Sequence, residues 1–186
     1  LVGPENFDGP GFPPSGWSTQ DLAGANSWYL DGANHVARID GNTMESENDW
    51  LITNSFNGTT PADSIVLHYW YQIAHWTGNT GQEFVAISTD DGVTWPETVA
   101  VYPAASGTEA NSVSMRIDNL STPLSGTTKI AFVYNIYNGL YMMVDSVWVG
   151  AFVSEPAPPS FDHATYYHPT YPHTMASYPE TVYIDD

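Results

Sequence analysis

Short runs rich in Val, Ile, Thr and aromatic residues recur along the chain, and Gly, Asn, Asp or Pro fills most gaps between them. No window of about eleven residues keeps an apolar period of 3.6, so helices are not expected. The runs predict strands near Trp28–Leu30, His35–Ile39, Trp50–Phe56, Ser64–Ile73, Glu83–Thr89, Thr98–Tyr102, Ser112–Ile117, Thr128–Ile136 and Leu140–Val149. Short strands separated by turns make an all-β chain. The expected architecture is an antiparallel two-sheet jelly-roll β-sandwich over residues 1–153.

The pattern changes at Ser154. Glu155-Pro156-Ala157-Pro158-Pro159 is a stiff linker signal. The remainder carries five Tyr, three His, three further Pro and no Lys or Arg, and only Thr181-Val182-Tyr183-Ile184 alternates like a strand. Residues 154–186 are therefore expected to form an extended tail. Its histidines His163, His168 and His173 recur at a spacing that suits neither a strand face nor a helix turn, so packing by flat rings is expected over metal ligation.

Charge then narrows the partners. Twenty-one Asp and Glu against three Lys and Arg give −18. Such a surface cannot neutralise phosphate backbones, which excludes nucleic acid, and it disfavours anionic membranes. No apolar stretch approaches the roughly 18 residues of a membrane helix. Cations, neutral sugars and protein surfaces remain. Cysteine is absent, which removes disulfides, thiolate zinc sites and a cysteine nucleophile. An opening of Leu1-Val2-Gly3-Pro4 is expected of a processed or excised module.

Five motifs in order give the chain a resemblance. These are Glu5-Asn6-Phe7-Asp8 with Phe12-Pro13-Pro14-Ser15-Gly16-Trp17, then Asn48-Asp49-Trp50-Leu51-Ile52-Thr53, then Leu67-His68-Tyr69-Trp70-Tyr71. Ser88-Thr89-Asp90-Asp91-Gly92-Val93-Thr94-Trp95 and Leu140-Tyr141-Met142-Met143-Val144-Asp145-Ser146-Val147 complete the set. Over residues 4–150 the chain resembles the cleaved-adhesin and choice-of-anchor type of bacterial surface module, relatives of the MAM jelly rolls. The resemblance implies a secreted, non-catalytic domain stabilised by calcium and tied to adhesion or glycan binding. It also implies a structural Ca2+ between the first and last strands, which places Glu5, Asp8 and Asp145 as ligands, with Asp21 and Asn26 in a second tier. The loop Asp21-Leu22-Ala23-Gly24-Ala25-Asn26 lacks the alternating Asp run of that family, which argues against a second ion there.

Enzymatic signatures are missing: there is no G-x-S-x-G elbow, no H-E-x-x-H, and no pair of carboxylates set apart from the others. Ser88-x-Asp90-x-Gly92-x-Thr94-Trp95 is an Asp-box, a turn in which Asp bonds backbone amides, Gly supplies an unusual φ and Trp packs beneath. One box and three basic residues, Arg38, Arg116 and Lys129, do not make a sialidase. His35, His68 and His75 are expected as satisfied strand residues. The sequons at Asn57 and Asn119 fall in predicted turns.

Two functions compete. In the favoured one the module self-assembles head to tail, or joins other surface proteins, by strand addition of its tail, with Tyr166, Tyr167, Tyr171, Tyr183 and Ile184 as contacts. In the alternative it is a calcium-stabilised carbohydrate-binding module, with Trp76 and Tyr137 as a glycan platform on loops.

Overall fold

The computed structural model describes residues 2–58, 64–118 and 120–152. The chain divides into Leu1–Ser154 and Glu155–Asp186, and the described residues belong to the first of these units. The tail residues Tyr166, Tyr167, Tyr171, Tyr183 and Ile184, the three tail histidines and Asn119 lie outside them.

The described residues form nine strands and no helix. They are β1 (Val2–Glu5), β2 (Ser18–Ala23), β3 (Tyr29–Asp31), β4 (Val36–Asp40), β5 (Ser46–Ile52), β6 (Ser64–Ser88), β7 (Glu97–Pro103), β8 (Gly107–Ile117) and β9 (Lys129–Phe152). All pairings are antiparallel. Two strands organise the rest: β6 runs for 25 residues and β9 for 24, and they pair along nearly their whole length. Around the first half of β6 the order is β8, β6, β9, β4, β3, with β1 also on β9. Around its second half the order is β7, β6, β9, β5, β2. The continuous ladder thus curls into the two layers of a β-sandwich.

Sequence patterning splits each long strand in two, at residues 74–82 and 137–139. The structure instead carries the backbone through both corners. The register slips between His75 and Thr80, where Gly78, Gly81 and Asn138 take positive φ. At Gly81 a β-carbon would sit 2.4 Å from the carbonyl oxygen of Asn135, so only glycine lets the two strands close up there. A bend made of glycines and a bulge reads locally as a loop, which is why the sequence hides it.

Alternation along β6 settles which face is core. Ile65, Leu67, Tyr69, Tyr71 and Ile73 are buried, whereas Val66, His68, Trp70 and Gln72 between them are half-buried on the outer face. The inward set packs with Ile39, Leu51, Ile87, Ile130, Phe132, Ile136 and Met142.

The outer faces of the two layers differ. That of the second is capped by Trp50, Phe84 and Trp95 over Ala86, Ala131 and Val133, with Trp50 and Trp95 ring centroids 5.3 Å apart. Trp95 is delivered there by the Asp-box turn. Ser88 Oγ accepts from the Gly92 amide at 2.8 Å, and Asp90 accepts from the amide and hydroxyl of Thr94 at 2.9 and 2.6 Å. The Thr94 bonds, the hydroxyl foremost, hold the Asp90 carboxyl down at about 2. Among the described residues the outer face of the first layer has no such cap.

Among the described residues three acids end up in the interior: Glu47, Asp49 and Glu83 are essentially unexposed. Asp49 lies across from Asp21 on β2, and neither of its carboxylate oxygens has a hydrogen-bond donor among the described residues. Burial first, then the neighbouring Glu47 and Asp21 charges, pushes Asp49 up to about 8. The sign of the pH effect follows. Between about pH 4 and 8 the folded chain holds a proton on Asp49 that the unfolded chain releases, so stability falls as pH rises through that window. Asp49→Asn, which cannot ionise, is expected to gain about 1–2 kcal/mol over wild type at pH 8 and little at pH 4. Thermal melts at the two pH values read this directly, and equal effects at both would contradict it.

Candidate functional site

The outer face of the first layer holds a cleft of about 600 Å3. Its volume lies within the range of small-ligand sites. The cleft is built by strand register. On β6, His68, Trp70 and Gln72 point outward; Trp70 lies opposite Asp145 on β9 and Ser112 on β8, and Gln72 lies opposite Met143. Val36 of β4, Asn34 in the preceding turn and Ser146 close the wall. A bulge shapes this wall. The register of β6 on β9 slips between His68 and Trp70, where Ser146 takes φ 53°, and that slip lets both Asp145 and Ser146 line the cleft.

The lining mixes one indole, a thioether, an imidazole, two carboxamides, two hydroxyls and one carboxylate. Asp145 Oδ2 accepts a bond from Ser146 Oγ at 3.1 Å, and its Oδ1 is buried with no donor among the described residues. Gln72 donates through Nε2 to Tyr141 Oη at 2.8 Å, which fixes its amide. Beside the cleft the Arg38 guanidinium sits 4.6 Å above the Tyr141 ring and pairs with Asp40 at 2.7 Å and Asp31 at 3.6 Å. Arg116 pairs with Asp118 and Lys129 with Asp91, each at 3.0 Å. All three Lys and Arg side chains of the chain are thus already engaged with carboxylates. The face accepts and donates hydrogen bonds, but it offers no free cation to an anion.

The sequence-derived ligand set is distributed differently. Glu5 Oε1 accepts from its own Phe7 amide at 2.8 Å, Asp8 pairs with His35 at 3.1 Å on the surface, and Asp145 lines the cleft. No three His, Asp or Glu side chains gather to hold a metal among the described residues. Glu5, Asp8 and Asp145 are each engaged in the separate contacts given above. Asp21 faces Asp49 and accepts from Ser27 Oγ, while Asn26 donates its amide to Glu47 at 2.9 Å. Trp76 and Tyr137 are exposed at 48% and 39%. They lie at the corner where β6 and β9 slip register, and neither lines the cleft. Of the strand histidines, His75 is buried against Glu83, His68 lines the cleft and His35 is exposed.

Trp70, Gln72 and His68 are the functional candidates that reading by motif missed. Their signal was the one-for-one alternation of Leu67-His68-Tyr69-Trp70-Tyr71-Gln72-Ile73, in which Trp70 and the core tyrosines fall on opposite faces.

No protein-family model and no curated protein matches the chain. Solved structures do. The K3 cleaved adhesin domain of Lys-gingipain from Porphyromonas gingivalis W83 is 16% identical over 81% of this chain and 99% of that domain, with a TM-score of 0.57. A family 61 carbohydrate-binding module in complex with β-1,4-galactotriose is 15% identical over 80% and 95%, at 0.50. The C-terminal family 22 carbohydrate-binding module of Clostridium thermocellum Xyn10B is 10% identical over 80% and 91%, at 0.51. At these identities the likeness shows the fold: the chain is an all-β sandwich of the architecture shared by adhesin domains and carbohydrate-binding modules. No helix among the described residues is long and apolar enough to cross a membrane.

Proposed function

We propose that the chain is a non-catalytic, extracellular adhesive module that binds neutral glycans on the open face of its first layer. One observation carries this reading: the cleft sets Trp70 among His68, Gln72, Asn34, Ser112 and Asp145 on the outer face of the first layer. An indole covers the apolar face of a pyranose, while amides, hydroxyls and a carboxylate meet its hydroxyl rim. The engaged state of Arg38, Arg116 and Lys129, together with the net charge of −18, selects against acidic sugars. Likeness to cleaved adhesin and carbohydrate-binding folds supports both the binding role and a place at the cell surface or among secreted proteins. Assembly through the tail rests on residues outside the described ones.

The test is affinity electrophoresis through gels containing galactan, xylan or polygalacturonate. Retardation by a neutral polysaccharide without release of reducing ends is the expected result. Migration unaffected by either neutral polymer, or retardation by polygalacturonate alone, would contradict it.

A further inference from the structure

Beyond the cleft, the same sheet face carries a second indole. Trp148 on β9 lies directly across from His68 on β6, so the two side chains share a face, and Ser114 of β8 flanks His68 on the other side. The next outward position on β9 is Gly150. A β-carbon there would lie 2.4 Å from both Cζ2 and Cη2 of Trp148 and 3.3 Å from Cε2. The six-membered ring of Trp148 therefore rests over the α-carbon of Gly150, in space that any other residue would fill. Trp148 is nevertheless 41% exposed. Beyond it, Phe152 lies under the Arg116 guanidinium at 3.9 Å, which closes that end of the face with a stacked and ion-paired group.

An indole held against backbone and left open to solvent is an aromatic platform with its orientation already fixed. Its place along the strands matters as much. The Trp148 ring rests over Gly150, which pairs with Val66, four residues along β6 from Trp70, a separation of about 13 Å. That separation spans more than one ring of an extended glycan. We propose that Trp148, seated on Gly150, is a second sugar-stacking platform continuous with the cleft, so that the ligand is a neutral oligosaccharide engaged at more than one ring rather than a single sugar. This rests on the glycan-binding reading of the cleft and adds to it a length requirement and two residues.

The increment from one aromatic stack predicts about a tenfold loss of oligosaccharide affinity when it is removed. Calorimetry with β-1,4-galactotriose, xylohexaose, galactose and xylose, on wild type, Trp148→Ala and Gly150→Ala, tests it. Wild type is expected to bind an oligosaccharide at least tenfold more tightly than its monosaccharide. Trp148→Ala should remove that advantage and leave the monosaccharide affinity unchanged. Gly150→Ala keeps the indole but lifts it from the backbone, and should lose part of the same advantage; matched thermal melts show that both variants are folded. Oligosaccharide binding that is intact in folded Trp148→Ala, yet lost in Trp70→Ala, overturns the platform and leaves the cleft standing. Absence of any binding by wild type overturns both.

Discussion

His75→Ala is expected to cost about 3–5 kcal/mol of stability, because it strands a carboxylate in the interior. The His75 side chain is 2% exposed and that of Glu83 is 0%, with Nε2 and Oε1 2.6 Å apart. His75 Nδ1 lies 3.0 Å from the carbonyl oxygen of Ala105, which can only accept, so Nδ1 carries a hydrogen. The remaining proton is shared along the Nε2–Oε1 contact. Burial raises the Glu83 pKa, and the histidine only partly opposes it. For His75 burial works the other way, but the bond to Glu83 outweighs it and the imidazole is also raised. Both directions mean that the folded pair keeps a proton which the unfolded chain gives up as pH rises through neutrality. The pair's contribution is present below the ordinary histidine pKa and is lost as pH rises through the folded value. Removing the imidazole leaves both Glu83 oxygens without a donor, since Oε2 already has none among the described residues. It also frees the 103–107 connection from β6. Chemical denaturation at pH 6 measures the loss. A cost below about 1 kcal/mol, or a His75→Ala/Glu83→Gln double variant no more stable than His75→Ala, would show that the contact is not a buried obligatory pair.

The second large effect concerns binding. Trp70→Ala should lower affinity for a neutral oligosaccharide about thirtyfold, the equivalent of the roughly 2 kcal/mol by which a central aromatic anchor is recognised. The fold should survive, because Trp70 is on the open face and the core positions Tyr69 and Tyr71 flanking it are untouched. Trp76→Ala, at the exposed corner, should leave affinity unchanged. Equal losses in the two variants, or a loss in Trp76→Ala alone, would move the site to the corner that sequence motifs favoured.

That contrast shows what the chain discloses before it is folded. The all-β class followed from recurrent β-branched and aromatic runs between Gly, Asn and Pro. The core half of β6 followed as well, since Ile65, Leu67, Tyr69, Tyr71 and Ile73 sit at every second position. The site was harder. Trp76 drew attention because it stands beside Gly78 and Asn79 in an apparent loop, whereas Trp70 stands inside a strand otherwise read as core. Period-two alternation puts Trp70 and the core tyrosines on opposite faces, but it cannot say which of two sheet faces a partner layer will cover. That is decided by contacts between distant segments, as where Phe132 of β9 meets Tyr69 with ring centroids 5.2 Å apart. The slip at Ser146, which brings Asp145 into the cleft wall, is hidden from the sequence in the same way. The interior acids Glu47, Asp49 and Glu83 were not legible either, because alternation places a residue inside without naming the neighbour that tolerates its charge.

The most direct measurement of the central claim is a titration of the seven tryptophan indole N–H signals by two-dimensional NMR. β-1,4-Galactotriose and xylohexaose serve as the added ligands. The account predicts that Trp70 and Trp148 shift together and saturably, while Trp17, Trp28, Trp50, Trp76 and Trp95 stay in place. Shifts confined to Trp76, or seven unmoved signals with both sugars, would contradict it.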